Sequence, residues 1–127
     1  MFTFLGLSTC DTCRKARRWL DNAGIDYQVI DVRKDTVSAE RRRSLLEQVG
    51  PATLINRRST TWRNLSESER QSLENDQGLD AADHLLESSP SLMKRPILMA
   101  SDKVVMVGFD ATRYQQLIND SGDAPTA

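Results

Sequence analysis

The chain has 127 residues, with 17 Lys and Arg against 18 Asp and Glu, a formal net charge of −1. That length fits one compact domain, and the balanced charge argues against nucleic-acid binding by bulk electrostatics. Hydrophobic residues make up 39% and charged residues 28%, so a core is available under a strongly charged surface. No apolar run approaches the roughly 18 residues of a membrane span. The opening MFTFLGLSTCD lacks a basic leader, so no signal peptide is expected. Two cysteines three positions apart do not build a secreted disulfide framework, and the expected compartment is the cytoplasm.

FTFLGL (2–7) predicts a short buried strand. A helix follows, with Ala16, Trp19, Leu20 and Ala23 at i, i+3, i+4 and i+7 on one apolar stripe. Gly24 stops it as a left-handed cap. IDYQVIDV (25–32) predicts a second strand, parallel to the first through a right-handed crossover. From Ser38 to Gly50 the pattern is helical, with Leu45, Leu46 and Val49 inward and Arg41, Arg42 and Arg43 read as a solvated face. Ser66-x-x-Glu69 is a capping box that opens another helix. Asp80 is read as the cap of a short helix through Leu86, ended by Ser88-Ser89-Pro90.

No clear strand is expected between about 34 and 92. PILMA (96–100) and KVVMVGF (103–109) then predict a hairpin through Ser101-Asp102. Asp110 caps a last helix, with Tyr114, Leu117 and Ile118 inward, and 121–127 is expected to be a flexible tail. The layout is α/β: βαβ, a helical insert over about 34–92, then ββα, one thioredoxin-like domain over 1–120.

The chemistry centres on Ser8-Thr9-Cys10-Asp11-Thr12-Cys13-Arg14-Lys15. A structural zinc site needs four ligands, and this chain offers one cysteine pair and a distant His84, so no metal is expected. His84 reads as a surface or partly packed residue. Position favours redox chemistry: Cys10 sits where a strand ends and a helix begins, among free N–H groups and the positive helix end. Arg14 and Lys15 add positive charge, and Asp11 opposes it. A thiol of pKa near 8.5 is about 3% ionised at pH 7, and lowering it to about 6.5 gives roughly 75%. Cys13, one turn on, is close enough to form a disulfide with Cys10 or to resolve a mixed one. Two inert core cysteines are the alternative. For Arg95-Pro96 the residues alone leave cis and trans open.

CDTCRKARRWL (10–20), INRRSTTWRNL (55–65), MKRPILM (93–99) and VGF (107–109), in that order, resemble the ArsC family. That family comprises glutaredoxin-linked arsenate reductases, Spx-type transcription regulators and YffB-like proteins, and the match looks closest to the YffB-like branch. The resemblance covers roughly residues 2–119. It implies a thioredoxin-like fold with a helical insert, Cys10 as nucleophile, Pro96 as the cis-proline facing it, and Arg58 and Arg95 as oxyanion-binding arginines. Guanidinium groups suit that task, because they offset charge on an anion through paired N–H donors.

There are departures. The arsenate reductases carry N-P-x-C-G-T-S-R where this chain has L-S-T-C-D-T-C-R, and their third arginine falls here in MVGFD, which has none. Gly50 resembles a glycine that Spx-type proteins use against the RNA polymerase α subunit, and it is also a good helix terminator.

The resemblance thus implies a cytoplasmic thiol oxidoreductase, glutathione-linked, with a mixed disulfide on Cys10 resolved by Cys13 or by a second glutathione. Arg14, Arg58, Arg95 and Pro96 are its candidate substrate contacts. Its reductant is glutathione or a glutaredoxin- or thioredoxin-type protein. The alternatives are a glutaredoxin-dependent arsenate reductase and an Spx-like redox sensor that binds the RNA polymerase α subunit. Neither direct nucleic-acid binding nor a membrane is implied.

Overall fold

The computed structural model describes residues 2–75 and 79–121. The chain forms two units: Val32–Lys94 is one, and the segments before Val32 and after Lys94 make the other. The expected tail, 121–127, lies outside the described residues apart from Ser121, which ends the last helix.

The first unit contains β1 (Phe2–Gly6), α1 (Asp11–Asn22) and β2 (Tyr27–Asp31), then β3 (Ile97–Ala100), β4 (Lys103–Val107) and a C-terminal helix (Ala111–Ser121). The sheet order is β2-β1-β3-β4. β1 runs parallel to β2, pairing Gly6 with Asp31, and antiparallel to β3, pairing Leu5 with Ile97. With neighbours on both edges, β1 is buried at all five positions, which is why FTFLG lacks a polar alternation. The apolar stripe of α1 is seated as its period requires: Ala16 and Leu20 are buried with Phe2, Phe4, Leu98, Tyr114 and Ile118. Gly24 ends the helix at φ 73°, a conformation that costs glycine little. The last helix is capped by Asp110, whose carboxylate accepts from the Arg113 N–H at 3.1 Å. This is the thioredoxin-like βαβ–ββα frame expected from the sequence.

The second unit is the helical insert: α2 (Ala39–Val49), α3 (Pro51–Leu54), α4 (Thr60–Arg63), α5 (Glu67–Asn75) and α6 (Asp80–Ser88), followed by a 3₁₀ turn at Pro90–Leu92. With these placed, the C-terminal helix is α7. An isolated bridge joins Ile55 to Met93, so residues 54–56 run beside 92–94. The capping box forms as the sequence predicts: the Glu69 N–H donates to Ser66 Oγ at 3.1 Å and the Ser66 N–H to Glu69 Oε1 at 3.0 Å.

Two expectations need correction. Arg42 is not on a solvated face: its side chain is 7% exposed, with Nε 2.8 Å from Asp83, Nη2 2.9 Å from Glu87 and Nη1 donating to the Val37 carbonyl at 2.9 Å. It lies on the same side of α2 as Leu45 and Leu46, and α6 supplies the carboxylates that let it stay there. Nor is Asp80 a cap: Leu79 occupies that position and Asp80 is the first helical residue. Its carboxylate accepts from Arg43 Nη2 at 2.7 Å instead.

Candidate active site

The end of β1 and the start of α1 set the position of Cys10. Leu7 accepts from the Cys10 N–H at 3.2 Å, closing a tight turn that leaves Cys10 as the N-cap residue in extended conformation (φ −90°, ψ 120°). Cys10 is half-buried and Cys13 buried, and both are free thiols. Arg95 and Pro96 enter the same unit at the start of β3, with the bond between them cis.

The electrostatics of the two sulfurs diverge. Burial raises the Cys10 pKa, but the Cys13 N–H, the Cys13 thiol, the Arg95 charge and the Thr12 N–H together outweigh it, and the net value lies below the ordinary 9.0. The Cys10 side chain makes no well-aligned capping bond with α1. The N–H groups therefore act mainly as the partial positive charge of a helix end. Burial pushes the Cys13 thiol up to about 12, reinforced by its hydrogen bond to Cys10 and by the Cys10 charge. At neutral pH Cys13 keeps its proton, and the hydrogen bond between the two side chains favours the Cys10 thiolate. A nucleophilic thiolate and a buried donor thus sit one helical turn apart.

The other candidates fall in different places. Arg14 is exposed and engaged with Asp11 one turn away, so its charge is partly answered within α1. Arg58 belongs to the second unit, where it lines a cavity of about 500 Å³ with Ala52, Thr53, Ile55, Asn56, Arg57 and Lys94. Its N–H donates to Asn56 Oδ1 at 3.1 Å, and the Arg57 guanidinium lies 5.3 Å over the Trp62 ring in a cation–π contact. Among the described residues, three cations and no carboxylate line this cavity. Gly50 terminates α2 at φ 81°, and His84 is exposed. Among the described residues, no three His, Cys, Asp or Glu side chains gather as a metal site, and no helix is long and apolar enough to cross a membrane.

Two residues that the sequence does not tie to the cysteines lie beside them. One is Tyr114, fully buried in the core cluster that holds Cys13. Its ring meets those of Trp19 and Phe109 edge-on at 5.6 and 4.9 Å. The other is Gly6, at the end of β1. Sequence periodicity marks Tyr114 as core, but nothing in the sequence reports which sulfur it lies near.

The sequence matches the ArsC family over residues 5–117. The chain belongs to the ArsC family. Among its relatives is an uncharacterized protein of Haemophilus influenzae, 36% identical over 115 residues, covering 91% of this chain and 96% of that one. The global transcriptional regulator Spx of Streptococcus pyogenes is 31% identical over 122 residues, covering 94% and 86%. Of solved structures, the YffB protein aligns with a TM-score of 0.81 at 31% identity, covering 91% of this chain and 97% of that one. An arsenate reductase (ArsC) related protein from Brucella melitensis aligns at 0.70 and 37%, covering 91% and 92%. The YffB alignment agrees with the branch suggested by the sequence motifs.

Proposed function

We propose that this ArsC-family chain is a cytoplasmic thiol oxidoreductase that reduces glutathione mixed disulfides through Cys10. The observation that carries the reading is the asymmetry of the cysteine pair: Cys10 is half-exposed with a lowered pKa beside Arg95, and Cys13 is buried and protonated.

The Cys10 thiolate attacks the glutathione sulfur of the substrate, the S–S bond breaks, and its electron pair leaves on the substrate thiolate, which takes a proton from water. A second glutathione thiolate then attacks the glutathione sulfur held on Cys10. Oxidised glutathione leaves and the Cys10 thiolate is restored. The two-electron balance closes without Cys13, whose high pKa makes it a poor attacking group. Arg95 favours the thiolate, and Arg58, with Arg57 and Lys94 in its cation-lined cavity, is suited to a carboxylate or oxyanion. Arg14 is a weaker candidate contact, since Asp11 already engages it.

Turnover of a glutathionylated peptide in an NADPH-coupled glutathione assay tests this, with arsenate in a parallel well. The wild type should turn over the peptide and Cys10→Ser should not; equal rates in both would reject the reading. Arsenate reduction is the less supported enzyme alternative, because Asp11 stands beside the nucleophile and no arginine occurs in MVGFD.

A second reading, a redox-sensing regulator that binds the RNA polymerase α subunit, is favoured by the similarity to Spx. It requires a Cys10–Cys13 disulfide to change affinity. Silence in both wells together with redox-dependent capture of that subunit would establish it instead.

A further inference from the structure

Gly6 is the last residue of β1, paired with Asp31. Its backbone does not need glycine: the positive-φ glycines among the described residues are Gly24, Gly50 and Gly108. Space is what it supplies. A Cβ at Gly6 would lie 2.9 Å from Cys13 Sγ and 2.9 Å from Phe4 Cε1, both well inside van der Waals contact, and 3.4 Å from Cys13 Cβ. Cys13 is 1% exposed and Phe4 1% exposed, so neither has open solvent to move into. The sulfur of Cys13 occupies the hollow that the missing side chain leaves at the strand end.

We propose that Gly6 is a positioning residue for the active site: the hollow it leaves seats the Cys13 sulfur against β1, so that its S–H faces Cys10 and Cys13 is kept out of disulfide exchange. This rests on the reading of Cys10 as the working thiolate, but its consequence is measurable without turnover. Filling the hollow must displace Cys13 or Phe4, and displacing Cys13 takes the donor from Cys10. The charged and titratable groups concerned are few. Arg95 and the Cys13 thiol face Cys10, and Cys10, Arg95 and Tyr114 of α7 face Cys13. The Asp11–Arg14 pair lies exposed on α1.

The experiment is the pH profile of Cys10 alkylation by iodoacetamide, with the site of modification read by peptide mass. Gly6→Ala should move the midpoint up by about one pH unit, the size expected for losing a hydrogen bond to a charged group. Cys13→Ala should raise it similarly, and Cys13→Ser, which keeps a donor in less volume, should leave it near the wild-type value. Cys13→Ala removes the sulfur and its donor and leaves Phe4 as the close neighbour, and Phe4 donates nothing to Cys10, so adding Gly6→Ala to that variant should produce no further shift. A Gly6→Ala midpoint equal to wild type, or a full additional shift in the double variant, would overturn the proposal. If Gly6→Ala does not fold, the serine and alanine variants at Cys13 decide: equal midpoints in the two would also overturn it. Normal profiles in an enzyme without peptide turnover would instead locate the failure in the catalytic reading.

Discussion

At the scale of single residues, what distinguishes the two thiols of Cys10-x-x-Cys13 is environment. Both carry the same short thiol side chain, one helical turn apart, yet Cys10 is lowered and Cys13 raised to about 12. Cys10 is only partly desolvated, and its thiolate faces N–H groups and a guanidinium. Cys13 is buried in an apolar cluster that also holds Phe4, Leu98 and Tyr114. The Arg95 charge acts on both sulfurs, and its effect matters most where the thiolate forms. Arg95→Gln should therefore raise the midpoint of Cys10 alkylation and slow the reaction several-fold at pH 7. An unchanged profile would remove Arg95 from the account of the thiolate. The residue pattern made Cys10 legible, because a cysteine at a strand-to-helix turn meets unpaired N–H groups. It left Cys13 open between resolving thiol and inert core, since burial depends on β1, β3 and α7 together and no local spacing encodes that.

Among the elements, α2 and α6 show how a charged residue can share a buried helical stripe. Arg42, Leu45, Leu46 and Val49 stand at i, i+3, i+4 and i+7, so Arg42 was on the buried stripe all along. The basic run around it suggested a solvated face, and the carboxylates that answer it lie about forty residues downstream, on α6. The capping box at Ser66 was legible because both partners are within one turn. Asp80 shows the limit of that local signal: a carboxylate in a helix's first turn and one at its cap look alike in sequence. The two partners of Arg42 are not equivalent. The Asp83 side chain is 28% exposed and that of Glu87 64%, so water can replace Glu87 more readily. Asp83→Asn should cost more than Glu87→Gln, and Arg42→Ala, which also orphans the Val37 carbonyl, about 3 kcal/mol. Urea unfolding measures all three, and a larger loss for Glu87→Gln would contradict this ranking.

For the whole molecule, the same thiols shape how stability varies with pH. Cys13 is raised from 9.0 to about 12, so between those values the folded chain keeps a proton that the unfolded chain has released. Stability therefore falls as pH rises from about 9 to 12. Cys10 has the opposite sign: its lowered pKa adds stability that is complete above 9.0 and fades as pH falls through its folded value. Tyr114, pushed above its ordinary 10.0 by burial and by the Cys13 charge, adds to the alkaline loss. Thermal melts from pH 8 to 11 should show a shallower decline in Cys13→Ser than in the wild type. Parallel declines would mean Cys13 ionises normally. The central claim, that Cys10 alone carries the covalent intermediate, is tested most directly by quenching the wild-type enzyme during turnover of a glutathionylated peptide and mapping its cysteines by mass. The account predicts a glutathione adduct on Cys10 with Cys13 unmodified; a Cys10–Cys13 disulfide as the accumulating species would contradict it.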